Sequence, residues 1–380
     1  MFSNKDLRKL IIPLVIEQLL AVTIGMADTV MVSSCGEAAV SGISLVDSIN
    51  FLLITLFSSL ATGGAVIASQ YIGRGDHKSA SLAAKQLFYA SLALSAVLGV
   101  IAVFFRKPVL NMVFGSIEAD VMAHAQIYFL LSAISYPFLA VYNAGAALFR
   151  SMGDSRTTML ISILMNTINI VGNAILIYGF QMAAAGAATA SLVSRVVGAI
   201  IITVLLLNPR RIIFYDKLHK PEIHLSMLKS ILQIGVPNGL ENSIFQIGKI
   251  LVASIVSGFG TISITANAVA GNLASLQVIP GMALGMAMIT VVGQCIGAKD
   301  YEAVKKYTKK LMLITYGVVW AMTLLMLLFS KQILSFYSLS EETTTMTMEV
   351  FIVHGICAVI VWPLAFALPN ALRAANDAQQ

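Results

Sequence analysis

The heptapeptide QYIGRGD at residues 70–76 returns as QCIGAKD at 294–300, a shift of 224 positions. Outward from it at the same shift, without a gap, Pro13 meets Pro237, Glu17 meets Glu241, Ser33 meets Ser257 and Gly36 meets Gly260. A shift of 223 then lays FRSMGD at 149–154 over LRAAND at 372–377, so that Arg150 meets Arg373 and Asp154 meets Asp377. The chain is a tandem repeat, and what fills the repeat decides the architecture.

What fills it is apolar. Of 380 residues, 58% are hydrophobic and 11% charged, and the mean hydropathy is +0.87, outside the range of soluble domains. Apolar runs bounded by charge and by Gly or Pro predict ten membrane helices, near 8–33, 44–72, 84–105, 121–147, 157–180, 184–207, 226–257, 264–294, 308–329 and 346–372. They leave no room for a soluble domain, and secreted, fibrous and nucleic-acid-binding readings are excluded. Cys35, Cys295 and Cys357 lie far apart in or beside apolar stretches and read as packing residues. The basic start is followed by an apolar run too long for a signal-peptide core, so it reads as a retained first span.

Six spans separate equivalent positions. Six is even, so both halves share one orientation, related by an axis along the membrane normal. The expected fold class is an all-α membrane protein of two parallel-repeat helical bundles. Residues 1–210 form a six-helix lobe, 211–225 a cytoplasmic linker, and 226–380 a lobe with four of an expected six helices. The last two helices of a twelve-helix protein are expected to be missing. Two bundles with a cleft between them suit a transporter that rocks about a central site better than a pore.

Nineteen of the 24 Lys and Arg fall at the N-terminus, in the stretches 74–85, 150–156, 210–229 and 299–310, and at Arg373. Arg106, Lys107 and Lys331 lie on the opposite side, and Arg195 and Lys249 lie within spans. This bias predicts a cytoplasmic N-terminus in the plasma membrane.

A charge at membrane depth costs on the order of 2.5–3.5 kcal/mol, so each one needs a partner or a wet cavity. Glu17 and Asp28 are eleven residues apart on the first helix, which returns to within about 20° of one face, roughly 16 Å along the axis. If that face lines the cavity, Asp28 exchanges H+ or Na+ for substrate; the alternative is a solvated carboxylate near the helix end. Glu17 and Glu241 follow repeated prolines and suit either a kink or the substrate cavity. Lys249 either pairs with Glu241 or faces the cleft as a gate. Arg195 reads as snorkelling or paired near the cytoplasmic side, with no function assigned. Asn169 and Asn173, one turn apart on the fifth helix, can offer carbonyl oxygens to a cation or hold neighbouring helices together. Asn166, Asn267 and Asn272 extend that reading more weakly. The repeated loops with Arg150, Asp154, Arg373 and Asp377 read as cytoplasmic latches or as solvated helix ends. No His constellation suggests a metal or an enzyme.

MADTVMV at 26–32, the Gly36 turn, the two QxIGxxD loops, and LFRSMGD with ALRAAND together resemble the multidrug and toxic compound extrusion (MATE) family over essentially the whole chain. The resemblance implies a twelve-helix V-shaped antiporter in which H+ or Na+ drives export of small organic, often cationic, compounds. It implies no cofactor beyond the coupling ion, a lipid bilayer around the chain, no nucleic-acid partner, and a monomer. It also maps first-helix coupling onto Asp28 and an Asn–Asp pair of the fifth helix onto Asn169 and Asn173, the second being Asn here. Two alternatives stand beside this: a lipid-linked oligosaccharide flippase of the same superfamily, against which the scarcity of intramembrane Arg and Lys counts, and a non-transporting scaffold.

Overall fold

The computed structural model describes residues 2–115, 118–216, 218, 222–335, 337 and 339–375, with only the backbone described for Met26, Ala27 and Thr29. Among the described residues there are ten helices long and apolar enough to cross a membrane. They are α1 Asn4–Ser33, α2 Glu37–Gly73, α3 His77–Phe114, α4 Ala119–Ser151, α5 Ser155–Gly179, α6 Ala183–Leu206, α7 Leu225–Ser257, α8 Thr261–Gly297, α9 Tyr301–Leu328 and α10 Glu341–Ala374. A short helix, Ser330–Ser335, lies between α9 and α10. At 37 residues, α2 and α8 are about 55 Å long against a hydrocarbon core of about 30 Å, so both project beyond it.

The repeated loops end and begin helices in the same way. Asp76, Asp154 and Asp300 each cap the following helix, their carboxylates accepting from the backbone N–H of Ser79, Thr157 and Ala303. Before each cap one residue takes a left-handed turn, at Gly75, Gly153 and Lys299, where φ is 75°, 81° and 58°. On the other side of the membrane Gly36 and Gly260 start α2 and α8 with φ of 97° and 91°.

The two bundles interlock at the end that bears the N-terminus, called here the basic side. Leu7, Leu10 and Leu14 of α1 are buried among α8, α9 and α10. Their repeat counterparts in α7 do the reverse: Ile231 and Ile234 are buried in the core built by α2 to α6. Each half thus lends the start of its first helix to the other.

Between these exchanged ends α2 and α8 cross closely. A Cβ on Gly73 would collide with the Gln294 backbone, and one on Gly297 with the Gln70 backbone, a close approach that only small residues permit. Hydrogen bonds follow the same symmetry. Gln70 Nε2 donates to the Ala374 carbonyl at the end of α10, and Gln294 Nε2 donates to the Ser151 carbonyl at the end of α4, both at 2.8 Å. Thr290 adds a bond to the Arg150 carbonyl at 2.9 Å.

The far half is open. Beyond Gly239 no described residue of α7 is buried, and on α1 beyond Glu17 only Val32 is, among the residues with described side chains. The cleft between the bundles is closed on the basic side and opens on the other.

The stretch between the bundles is strapped to the first one. Gln86 of α3 donates to the Glu222 carbonyl and accepts from the His224 N–H, and Tyr89 donates to the Leu218 carbonyl. Arg211 pairs with Asp154 at 2.9 Å and stacks over Phe149.

Candidate functional site

The face of α1 that carries Glu17 and Asp28 lies on α5, and each carboxylate meets a different level of that helix. At the deeper level on the basic side, Glu17 is 7% exposed. It accepts from Arg150 at 3.1 Å and from the Thr158 hydroxyl at 2.8 Å. Toward the far side, Asp28 is half-buried and its Oδ1 accepts from Asn173 Nδ2 at 2.5 Å. Asn173 also donates to Asn169 Oδ1 at 3.3 Å, and Asn169 donates to Ser191 of α6 at 3.0 Å. A polar chain therefore runs from α1 through α5 to α6. Directly after Asn173 the helix widens into a π-turn, Ala174–Gly179, a distortion frequent at functional sites.

Asn173 is fully buried, yet its Oδ1 has no hydrogen-bond partner among the described residues. One unpartnered oxygen is thus enclosed on the same amide that holds Asp28. Asn166 stays outside the chain, its buried amide nitrogen also without a partner among the described residues.

A second carboxylate lies within electrostatic reach of Asp28. Asp47 of α2 is solvent-exposed, but its Oδ1 accepts from Tyr128 of α4 at 3.0 Å and from Asn50 at 3.2 Å. Asn50 is buried, accepting from the Tyr136 hydroxyl at 2.7 Å and donating to Ser132 at 3.3 Å. Arg195 of α6 donates to Ser135 at 2.6 Å, and its charge acts on both Asp28 and Asp47. The expectation that Arg195 snorkels or pairs near the basic side is corrected: it points into the first bundle, where it donates to Ser135 and lies within electrostatic reach of two carboxylates without pairing with either. Asp47 escaped the sequence reading because it lies just inside the expected start of a helix. The signal that marks it is a break in the repeat, since Asp47 and Asn50 face Gly271 and Ala274 in the second half.

The remaining predicted site residues are sorted by the repeat. Glu241 pairs with Arg373, the counterpart of Glu17 with Arg150, so the same helix-1-to-helix-4 ion pair is built in each bundle. The first is enclosed, with the Glu17 side chain 10% exposed; the second is open, with Glu241 at 56%. The difference is Thr158 of α5, which covers the first pair. The expected pairing of Lys249 with Glu241 does not form, because Arg373 already holds that carboxylate. Lys249 instead lies over the Phe245 ring at 5.3 Å and has no ion-pair partner among the described residues. Arg150 and Arg373 reach back to the first helix of their own bundle rather than to an aspartate across helix ends. Asp154 caps α5 and binds Arg211. Asp377 lies outside the described residues. Asp28, Asn169 and Asn173 are brought together; Glu17, Glu241 and Lys249 are three separate places.

Comparison with known families settles what kind of protein carries this site. The sequence model of the MatE family matches residues 13–175 and again residues 237–380, one match per half. The chain belongs to the MatE family. Membership makes it a multi-pass membrane efflux transporter and not an enzyme. Among its relatives, an uncharacterized transporter of Bacillus subtilis, YisQ, is 27% identical over 373 residues, covering 97% of this chain and 81% of the relative. A probable multidrug resistance protein NorM of Thermotoga maritima is 29% identical over 310 residues, 79% of this chain and 65% of that one. The MatE architecture is shared with solved structures. A MATE transporter in its bent conformation superposes with a TM-score of 0.89 at 20% identity, covering 99% of this chain and 83% of that one. An outward-facing multidrug resistance MATE transporter of the MOP superfamily gives the same TM-score, identity and coverage.

Proposed function

We propose that this MatE-family chain exports small organic cations in exchange for H+ or Na+, by alternating access of its two bundles. It acts as a monomer in the plasma membrane, with the basic side in the cytoplasm. One observation carries the reading: a half-buried carboxylate, Asp28, is held at membrane depth by an amide rather than by a fixed positive charge. A carboxylate neutralised by Arg would have no reason to change state, whereas one held by Asn173 can accept a proton or a hard cation. Asn173 serves either state. Its Nδ2 donates to the ionised carboxylate, and its unpartnered Oδ1 can accept from the protonated acid or join Asn169 Oδ1 in facing Na+.

The sidedness follows from the Lys and Arg bias, which makes the open cleft external. The names of relatives such as NorM, a probable multidrug resistance protein, support an organic substrate class. Closing the far side requires parting the basic-side contacts of Gln70 and Gln294, so substrate is loaded when those bonds are broken and released when they are made.

Efflux assays across a compound panel, with imposed H+ and Na+ gradients in turn, test the reading. Asp28→Asn is expected to abolish gradient-driven efflux with expression and folding intact. Undiminished efflux by that variant removes Asp28 from the mechanism.

A further inference from the structure

Resting on that reading, we infer that Asp47 anchors the positive group of the exported compound, while Asp28 holds the coupling ion. Three observations carry this. First, both hydrogen bonds to Asp47, from Tyr128 and Asn50, end on Oδ1; among the described residues Oδ2 has no hydrogen bond or ion pair and is left to a ligand. Tyr128 and Asn50, the latter locked by Tyr136 and Ser132, fix the carboxylate's orientation without neutralising it.

Second, the walls beside it are apolar. Tyr128 packs against the cluster of Val32, Ile43, Ile177, Ala184 and Ala187. An exposed carboxylate next to an aromatic and aliphatic wall suits an amphipathic cation, which gains from charge pairing and from burial together.

Third, the charges count to one vacancy. Asp28, Asp47 and Arg195 lie within electrostatic reach of one another and, with both carboxylates ionised, sum to a single negative charge; the other titratable groups bonded into this network are the phenols of Tyr128 and Tyr136. The site therefore takes one extra positive charge at low cost. An ion at Asp28 leaves Asp47 balanced by Arg195 and weakens its hold on a cation; a cation at Asp47 does the same to Asp28. Competition for one charge couples ion to substrate without requiring that they touch the same atoms, and Arg195 sets the count.

The test measures binding of tetraphenylphosphonium and of neutral triphenylphosphine oxide to the purified full chain. Asp47→Asn should weaken tetraphenylphosphonium binding by on the order of tenfold or more and change triphenylphosphine oxide binding less than about twofold. Asp47→Glu should restore the cation. Asp28→Asn, which fixes the charge count of the ion-bound state, should bind tetraphenylphosphonium more weakly than wild type, and Na+ should displace it no further. Arg195→Gln, with two net negative charges, should bind tetraphenylphosphonium more tightly and respond less to either ion. Wild-type cation binding by Asp47→Asn, or equal loss of both probes, overturns the assignment of Asp47. Retention of ion-driven efflux by Asp28→Asn overturns the coupling reading instead, so the two failures are distinct.

Discussion

At the scale of single residues, the two repeated Glu–Arg pairs have the same chemistry and different surroundings, and the surroundings set their worth. Removing one partner of an enclosed pair strands a charge, at a cost of about 3–5 kcal/mol. Where the partner left behind is hydrated, the loss is about 1 kcal/mol or less. Arg150→Ala, which strands Glu17 at 10% exposure, is therefore expected to lower thermal stability in detergent much more than Arg373→Ala, which leaves Glu241 at 56%. Equal melting shifts for the two variants would contradict this. Asp28 was legible in the sequence because a lone acid deep in an apolar run has few explanations. Asp47 was not, since near a helix end an acid looks like a cap. The partners of Glu17 and Glu241 were hidden for another reason: they arrive from a helix more than 130 positions away, and periodicity within α1 or α7 carries no trace of them.

At the scale of elements, all ten spans were legible, because each is an apolar run interrupted by charge and glycine. Their ends were less so. Helix α2 begins at Glu37 rather than near 44, since Gly36 supplies the turn and the polar residues after it are still helical. The π-turn after Asn173 has no mark in composition. The three capped loops make a sharper prediction. Lys299 occupies a left-handed turn, φ 58°, where the matching loops have Gly75 and Gly153. Lys299→Gly is expected to raise stability by about 0.5–1 kcal/mol, and Lys299→Ala to give no such gain because its Cβ keeps the strain. Thermal unfolding of the two variants side by side checks this; equal gains would show that the lysine side chain, not the backbone, was at fault.

At the scale of the whole molecule, the repeat foretold two parallel bundles but not that each lends the start of its first helix to the other. That exchange depends on which faces meet, and α1 and α7 are too evenly apolar for a stripe to show it. The closed basic side rests on a symmetric pair of Gln-to-carbonyl bonds over a glycine crossing. At about 1 kcal/mol each, losing both is worth roughly thirtyfold in the ratio of open to closed molecules. The Gln70→Ala, Gln294→Ala double variant should therefore lengthen and broaden the distance between spin labels at Arg74 and Lys299. An unchanged distribution would mean that apolar packing alone holds the seal. The polar site and this seal lie at opposite ends of the first bundle, so the ion site must act on the seal through tilting of whole helices, α1 and α2 first, since both run from one to the other.

The central claim is that occupancy of Asp28 drives the cycle, and it is tested most directly in reconstituted vesicles. Asp28→Asn should still exchange labelled tetraphenylphosphonium across the bilayer at equal concentrations, yet fail to concentrate it against a gradient when H+ or Na+ is imposed. Wild-type accumulation by that variant under either gradient would contradict the account.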